Sequence, residues 1–268
     1  VFVLTLVLLG SIVVAYSLVG RYIAQINIAR ATQALSVNDL GKSLTAATQS
    51  IAFAPSSIAY QVQAAVAQRQ MAQIANDTSI PATQAQQQFQ QALAQGITAA
   101  LAATQHDPHN YQNWTTLAGL YAAVVPLGVA GAYDNAKSSY ERALALHPTS
   151  PAIYYQLAQL AVANQDANAA REYLKQTIAL KQDYTAAILL LSQLEVAAGN
   201  IKEARDSAEA AAYFTPNDVN ILFQLGILRA ANGDTDPAIE ALGAAVAGDP
   251  QFANARYFLA ALFAKKAQ

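Results

Sequence analysis

The sequence predicts an all-α protein, a solenoid of stacked helical hairpins entered through a long apolar helix. Three observations predict it. Small residues recur every 34 positions at Ala136, Ala170, Ala204 and Ala238, and leucines keep the same step at Leu157, Leu191, Leu225 and Leu259. Segments close in time with them at Pro148, Pro216 and Pro250, with Gln182 in the slot between the first two. A fixed period of this length marks stacked supersecondary units, each unable to bury its apolar face alone. Coiled coils and four-helix bundles keep no such clock.

Taken in order, residues 1–36 form the apolar N-terminal helix. From Val1 to Gly20 there is no charge, and only Thr5, Ser11 and Ser17 are polar. Twenty residues at about 1.5 Å each match the hydrocarbon thickness of a bilayer. Arg21 and Tyr22 follow, where interfacial anchors belong. The faces offered to a membrane or to other copies carry Phe2, Leu4, Leu6, Leu8, Leu9, Ile12, Val13, Tyr16 and Leu18. A cleaved signal peptide is the competing reading, with Ala15-Tyr16-Ser17 as its cleavage site. Against it, no basic segment precedes the apolar run, and the run is long for a signal core. A chain opening on Val1 is expected to be cut from a longer precursor or numbered from a mature end.

Residues 37–108 read as degenerate helical repeats. The first helix continues through Ile23, Ile26, Ile28 and Leu35 and breaks at Asn38-Asp39. Helices are predicted over Leu40–Ala54, Ser57–Asn76 and Thr83–Gln105, with a loop at Asn76–Pro81. Pro55 and Pro108 occupy the closing position of a repeat, but an insertion of about 19 residues separates them beyond the 34-residue step. The Gln-rich run from Gln84 to Gln95 is low in complexity and, at helical spacing, reads as a solvated helix.

Residues 109–268 carry the regular units, each of two short helices. Ile188, Leu191, Leu194 and Val196 form an amphipathic stripe. Gly199 supplies a left-handed stop, and Asn200 with Glu203 spells a capping-box start. Ala204, Ala208 and Ala211 keep the second helix thin. In the next unit Gly233 stops a helix, Asp236 is placed to cap the following one and Pro237 fits its first turn. At these residues the chain resembles the tetratricopeptide repeat family. The signature reads Trp114, Leu117, Ala118 and Tyr121, then Ala136, Tyr140, Ala143 and Pro148. It continues as Tyr154, Leu157, Ala158, Ala170 and Leu174; as Leu191, Ser192, Ala204, Ala211 and Pro216; and as Leu225, Gly226, Ala238, Ala245 and Pro250. Arg256, Leu259, Ala260 and Phe263 open a fifth unit with one helix. The first unit departs from the pattern, since Trp114 to Ala136 spans 22 residues where the others span 16, the excess lying in Val124–Gly131.

That resemblance implies a right-handed solenoid whose first helices line a groove for protein partners. The groove positions hold Tyr155, Gln159, Leu189, Gln193, Phe223, Ile227 and Tyr257, joined by Thr115 and Ala261 at the ends. Family members that grip acidic peptide tails place Lys, Arg and Asn there, and this chain does not. An apolar ladder suits an aliphatic or helical guest; the alternative is that these side chains pack against the next helix. Phe223 and Tyr257 are expected to be the most open.

Two further resemblances bear on the first helix. Val1-Phe2 before a long apolar helix is similar to type IV pilins, although Thr5 stands where pilins carry a glutamate. The whole layout, with Asp107-Pro108-His109-Asn110-Tyr111, Trp114 and a closing Ala253-Asn254-Ala255-Arg256-Tyr257-Phe258-Leu259, resembles the C-terminal region of polytopic O-antigen-ligase-like membrane proteins. In that layout the apolar helix would be the last membrane span.

Signs of chemistry are absent. Hydrophobic residues make up 54% and charged residues 12%, about half the usual charged share. A net charge of −2 gives no nucleic-acid footprint, and with no cysteine there is neither disulfide nor thiolate site. His106 and His109 flank Asp107, and His147 sits at an equivalent turn, so all three read as turn residues. Glu172, Glu195, Glu203 and Glu209 read as surface charges or caps. No phosphate loop or nucleophile elbow appears. Asn76-Asp77-Thr78 and Asn113-Trp114-Thr115 spell glycan acceptor triplets, with Asn113 better read as a cap.

The sequence therefore predicts a non-enzymatic protein with no cofactor, metal, nucleic acid or small-molecule substrate. Its expected partners are proteins, foremost copies of itself assembling through the apolar helix into an extracellular or cell-surface filament. A membrane-anchored adaptor and a fragment of a glycan-ligase-like membrane protein are the alternatives.

Overall fold

The computed structural model describes residues 2–267, and side chains from residue 7 onwards, so Phe2, Leu4 and Leu6 lie outside the described side chains. Two compact units divide the chain at residues 148 and 149. The first holds α1 (Phe2–Ser36), α2 (Leu40–Phe53), α3 (Ser57–Asn76), α4 (Ala82–His106), α5 (Tyr111–Ala122) and α6 (Ala132–Leu146). The second holds α7 (Pro151–Ala163), α8 (Ala167–Leu180), α9 (Thr185–Ala197), α10 (Ile201–Phe214), α11 (Val219–Ala231), α12 (Thr235–Gly248) and α13 (Ala253–Lys266). Helices pair as successive hairpins in each unit, α1/α2, α3/α4 and α5/α6, then α7/α8, α9/α10 and α11/α12.

In the first unit, α1 changes character along its length. Residues 7–19 are exposed throughout, whereas Ala24, Asn27 and Ala31 are buried against α2. The close approach rests on small residues and on two buried bonds in step. Ser43 donates its hydroxyl to the Ala31 carbonyl at 2.9 Å, and Ser50, two turns on, donates to Ala24 at 3.0 Å. Asn38, at φ +59°, turns the chain, and the Asp39 carboxylate accepts from the Lys42 amide to start α2. Residues 20–36 thus act as the first helix of a hairpin. The Arg69 guanidinium of α3 caps the end of α1 at the Leu35 carbonyl.

The insertion between Trp114 and Ala136 becomes a short 3₁₀ turn, Val125–Leu127, closed by Gly128 at φ +70°. Asn113 is no cap, since Asn110 fills that role. Instead Asn113 is fully buried, donates to the carbonyls of Ala103 (3.0 Å) and Asp107 (2.7 Å) and accepts from Gln61. It staples the α4–α5 turn, and no glycan can reach it. Tyr140 on α6 is also buried, which pushes its phenol pKa up to about 12. A phenol in the unfolded chain ionises near 10, so this group's stabilisation is intact below about pH 10 and is lost as pH climbs towards 12. Helical circular dichroism is expected to hold to about pH 10 and then fall, with the loss delayed in Tyr140→Phe.

In the second unit each hairpin seats a small residue of its first helix against its second. Ala158, Ser192 and Gly226 occupy equivalent positions and are all buried. Ser192 also donates its hydroxyl to the Ala204 carbonyl at 2.8 Å. Ala204, Ala208 and Ala211 are fully buried, as expected of a thin helix. Gly199 and Gly233 take left-handed conformations at φ +79° and +92°.

The polar residues at these joints do more than the sequence implies. Asn200 starts α10 without a side-chain cap bond, because its amide donates to Glu195 at 2.7 Å. Asp234, not Asp236, starts α12, and its carboxylate accepts from Asn232 and Arg205, which hold its pKa below the usual carboxylate value. Asp236 pairs with Lys266. Glu195 is no surface charge. It is buried, with Arg171 Nε at 2.9 Å, while Arg171 Nη2 also donates to the Leu194 carbonyl at 3.2 Å. One joint further on the polarity reverses, with Glu209 on α10 receiving Arg229 of α11 at 3.1 Å. Removing one partner of a largely buried pair strands the other. Glu195→Ala is expected to lower stability in urea denaturation by about 2 kcal/mol, and Glu195→Gln by roughly half that.

Candidate functional site

Two surfaces carry the predicted functional residues, and the structure adds a third. The first lies on α7, α9, α11 and α13. Here the aromatic rings are engaged by their own neighbours. Tyr155 stacks on Tyr184, the residue that starts α9, with ring centroids 5.1 Å apart. Phe223 meets Phe252, which starts α13, at 4.9 Å, and Phe258 at 5.9 Å. Between them Leu189 is half-buried, packed against the core cluster of Ile188, Ala211 and Ile221. Tyr184 and Phe252 are two repeats apart, as are Tyr155 and Phe223. The aromatic joint therefore recurs at every second repeat, and Asp218 fills the intervening slot as a helix cap. Gln159 and Gln193 are exposed, Ile227 is half-buried and Tyr257 is 71% exposed, edge-on to Phe258. The structure thus holds Tyr155, Leu189 and Phe223 in packing contacts and leaves Gln159, Gln193 and Tyr257 open. Tyr184 and Phe252, absent from the predicted set, were visible only as residues ahead of a helix start.

The second surface is the leading half of α1. Eight aliphatic side chains between Val7 and Val19, among them Leu8, Leu9, Ile12, Val13 and Leu18, are each more than half exposed, and Tyr16 is 80% exposed. They point to all sides of the helix. The described part of α1 is long and apolar enough to cross a membrane, with a mean hydropathy of 1.7 over its most apolar 18 residues. Packing begins at Gly20, where a Cβ would sit 3.4 Å from the Phe53 carbonyl.

The third surface is a pair of adjoining hollows in the first unit, of ≈ 480 and ≈ 350 Å³, that share Gln70 and Gln95. No charged side chain lines either.

The histidines have structural partners. His106 stacks on Tyr60 at 5.2 Å and His147 on Tyr111 at 4.9 Å, each tying the end of a hairpin's second helix back to the start of its first. Among the described residues no group of three His, Asp or Glu side chains is placed to hold a metal ion.

The tetratricopeptide repeat family matches residues 130–177 and 161–222, about a third of the chain. Among solved structures, Pseudomonas aeruginosa PilF is similar at 15% identity and a TM-score of 0.63, over 90% of this chain and 98% of its own. A repeat-containing protein from Cytophaga hutchinsonii is similar at 15% identity and the same TM-score, over 87% and 86%. YrrB, described as having an unusual peptide-binding site, is similar at 18% identity and a TM-score of 0.51, over 79% and 96%. At these identities the likeness is one of fold. A comparison with curated proteins returns no match. With the 34-residue period, the hairpin after hairpin of paired helices and the family match over 130–222 all in agreement, this chain carries tetratricopeptide repeats, and its fold is that of tetratricopeptide-repeat proteins.

Proposed function

We propose that the protein is an interaction scaffold held at a membrane by the leading half of α1, with its repeats presented to protein partners. One observation carries this reading. Residues 7–19 are apolar and exposed on every side, while residues 20–36 of the same helix are packed into the first hairpin. Leaving eight large aliphatic side chains in water forgoes on the order of 10 kcal/mol of burial. A single apolar stripe would dock on one neighbour, but all-round apolarity calls for an apolar medium on all sides, which lipid supplies. Arg21 and the exposed Tyr22 then fall at the interface. The repeats supply binding area, and the peptide-binding description of YrrB supports a peptide class of partner.

Self-assembly into a filament is the second reading, favoured by the same all-round exposure, since a core of packed copies would cover α1 equally well. The Gln-, Ser-, Thr- and Ala-covered surface supports an exterior setting in either case, while Arg21 and Arg30 pull towards the cytoplasmic side. The test is flotation of the full chain with phosphatidylcholine vesicles, followed by carbonate extraction, beside electron microscopy of a detergent-free preparation. Carbonate-resistant flotation is the expected result. Regular fibres of uniform width without lipid would replace the anchor by the filament.

A further inference from the structure

The Gln-rich run from Gln84 to Gln95 has no part in the anchoring reading, yet the fold gives it a definite setting. Gln88, Gln91 and Gln95 of α4 face Gln70 and Gln73 of α3 across one hollow, and Gln70 and Gln95 continue into the next. None of these five amides makes a side-chain hydrogen bond with another described residue. Gln63 and Thr48 extend the lining, already joined by a 3.0 Å bond. Beneath them lies an apolar floor of Leu44, Val66, Ala67 and Ala99.

We infer that this furrow binds an extended, uncharged polypeptide segment. A primary amide presents one acceptor and a pair of donors, so it matches a peptide group's N–H and C=O together. The spacing fits. Gln63 to Gln70 on α3 and Gln88 to Gln95 on α4 are both two turns apart, about 10.5 Å along a helix. Three residues of extended chain at about 3.3 Å each cover the same distance. With no charged side chain in the lining, an ionic ligand would lose its hydration without a counter-charge. Neutral sugars are commonly gripped by aromatic faces, and the only aromatic here, Tyr60, already has its ring on His106. The polypeptide is therefore the better guest, its small or aliphatic side chains meeting the apolar floor. This inference is independent of how α1 is covered.

The test is panning of a displayed peptide library, of about twelve residues or ~40 Å when extended, against the full chain in detergent micelles. Enriched peptides are expected to be uncharged along their core. Their affinity is expected to fall at least about tenfold in Gln70→Ala/Gln95→Ala, the loss of two or more neutral hydrogen bonds. The exposed Gln182→Ala, which lines neither hollow, serves as the unaffected control, and circular dichroism checks that each variant is folded. Gln95→Glu is expected to redirect selection towards peptides carrying Lys or Arg. The inference is overturned if nothing is enriched, if the enriched peptides are charged, or if the double variant binds them equally well. A neutral oligosaccharide that binds the full chain and is lost in the double variant would assign the furrow to glycans instead.

Discussion

A chain beginning at Gly20 is expected to leave the membrane fraction completely and to melt where the full chain melts. The expectation follows from where contacts begin along α1. Before Gly20 the described side chains are exposed, so their removal deletes no packing. From Gly20 onwards Ala24, Asn27 and Ala31 are buried, and the Ser43 and Ser50 hydroxyls reach the α1 backbone. Among the described residues of α1, the exposed aliphatic side chains lie in the deleted part, and those that hold the first hairpin lie in the part retained. Sedimentation after lysis reads the first outcome and the circular-dichroism melting curve reads the second. A truncated chain that unfolds would show the two halves of α1 to be one structural element. A milder form of the experiment, Ile12→Arg, is expected to weaken insertion by about 3 kcal/mol, roughly a hundredfold, again without a change in melting.

The second large effect is expected at Gly226, where alanine should destabilise the second unit by about 2 kcal/mol. A Cβ built there lies 2.6 Å from Leu242 Cγ, 2.9 Å from its Cδ2 and 3.2 Å from its backbone nitrogen. The first two contacts are far inside van der Waals range and the third involves backbone, so a rotamer change alone cannot relieve them. The helices α11 and α12 must move apart, and overpacking of this kind costs about 1–3 kcal/mol. Ala158 and Ser192 show that the same position accepts a Cβ elsewhere, and Ala158 does so packed with Leu174, the counterpart of Leu242, so the intolerance comes from the close approach of α12 to α11 at Leu242 and not from leucine as such. In Gly226→Ala/Leu242→Ala the two losses should sum to less than their separate values, a coupling that a double-mutant cycle in urea will read. Additive losses would mean that the two side chains do not meet.

The regular repeats were the most legible part of the sequence. Their period places a leucine and a small residue on the contact face of each hairpin: Ala136, Ala170, Ala204 and Ala238 are all buried, as are Leu157 and Leu225, while Leu191 and Leu259 are half-buried. Gly199 and Gly233 were readable because only the backbone decides them. The polar residues were not. Asn200 and Asp236 spell caps locally, but each turns to another partner, Glu195 at the end of α9 and Lys266 on α13. Glu195 is a surface residue by letter, and its burial rests on Arg171 of the neighbouring hairpin at one oxygen and Asn200 at the other. The groove residues were legible as a row but not in their occupation, because Tyr184 and Phe252 sit outside the helices and turn inward to meet Tyr155 and Phe223. The furrow of glutamines needed α3 and α4 to be antiparallel before two unremarkable runs became one lining.

The reversal of ion-pair polarity between successive joints gives the array a sense of direction. Where Arg171 reaches forward to Glu195, Glu209 at the next joint receives Arg229 instead. Moving α11/α12 back by one repeat would set Arg229 in the place of Glu195, against Arg171, and a hairpin slipped out of register would leave both charges unpaired. Hairpins that look interchangeable in shape are thus addressed by charge, each recognising its proper neighbour, so the order of the units is written into their seams as well as into the chain.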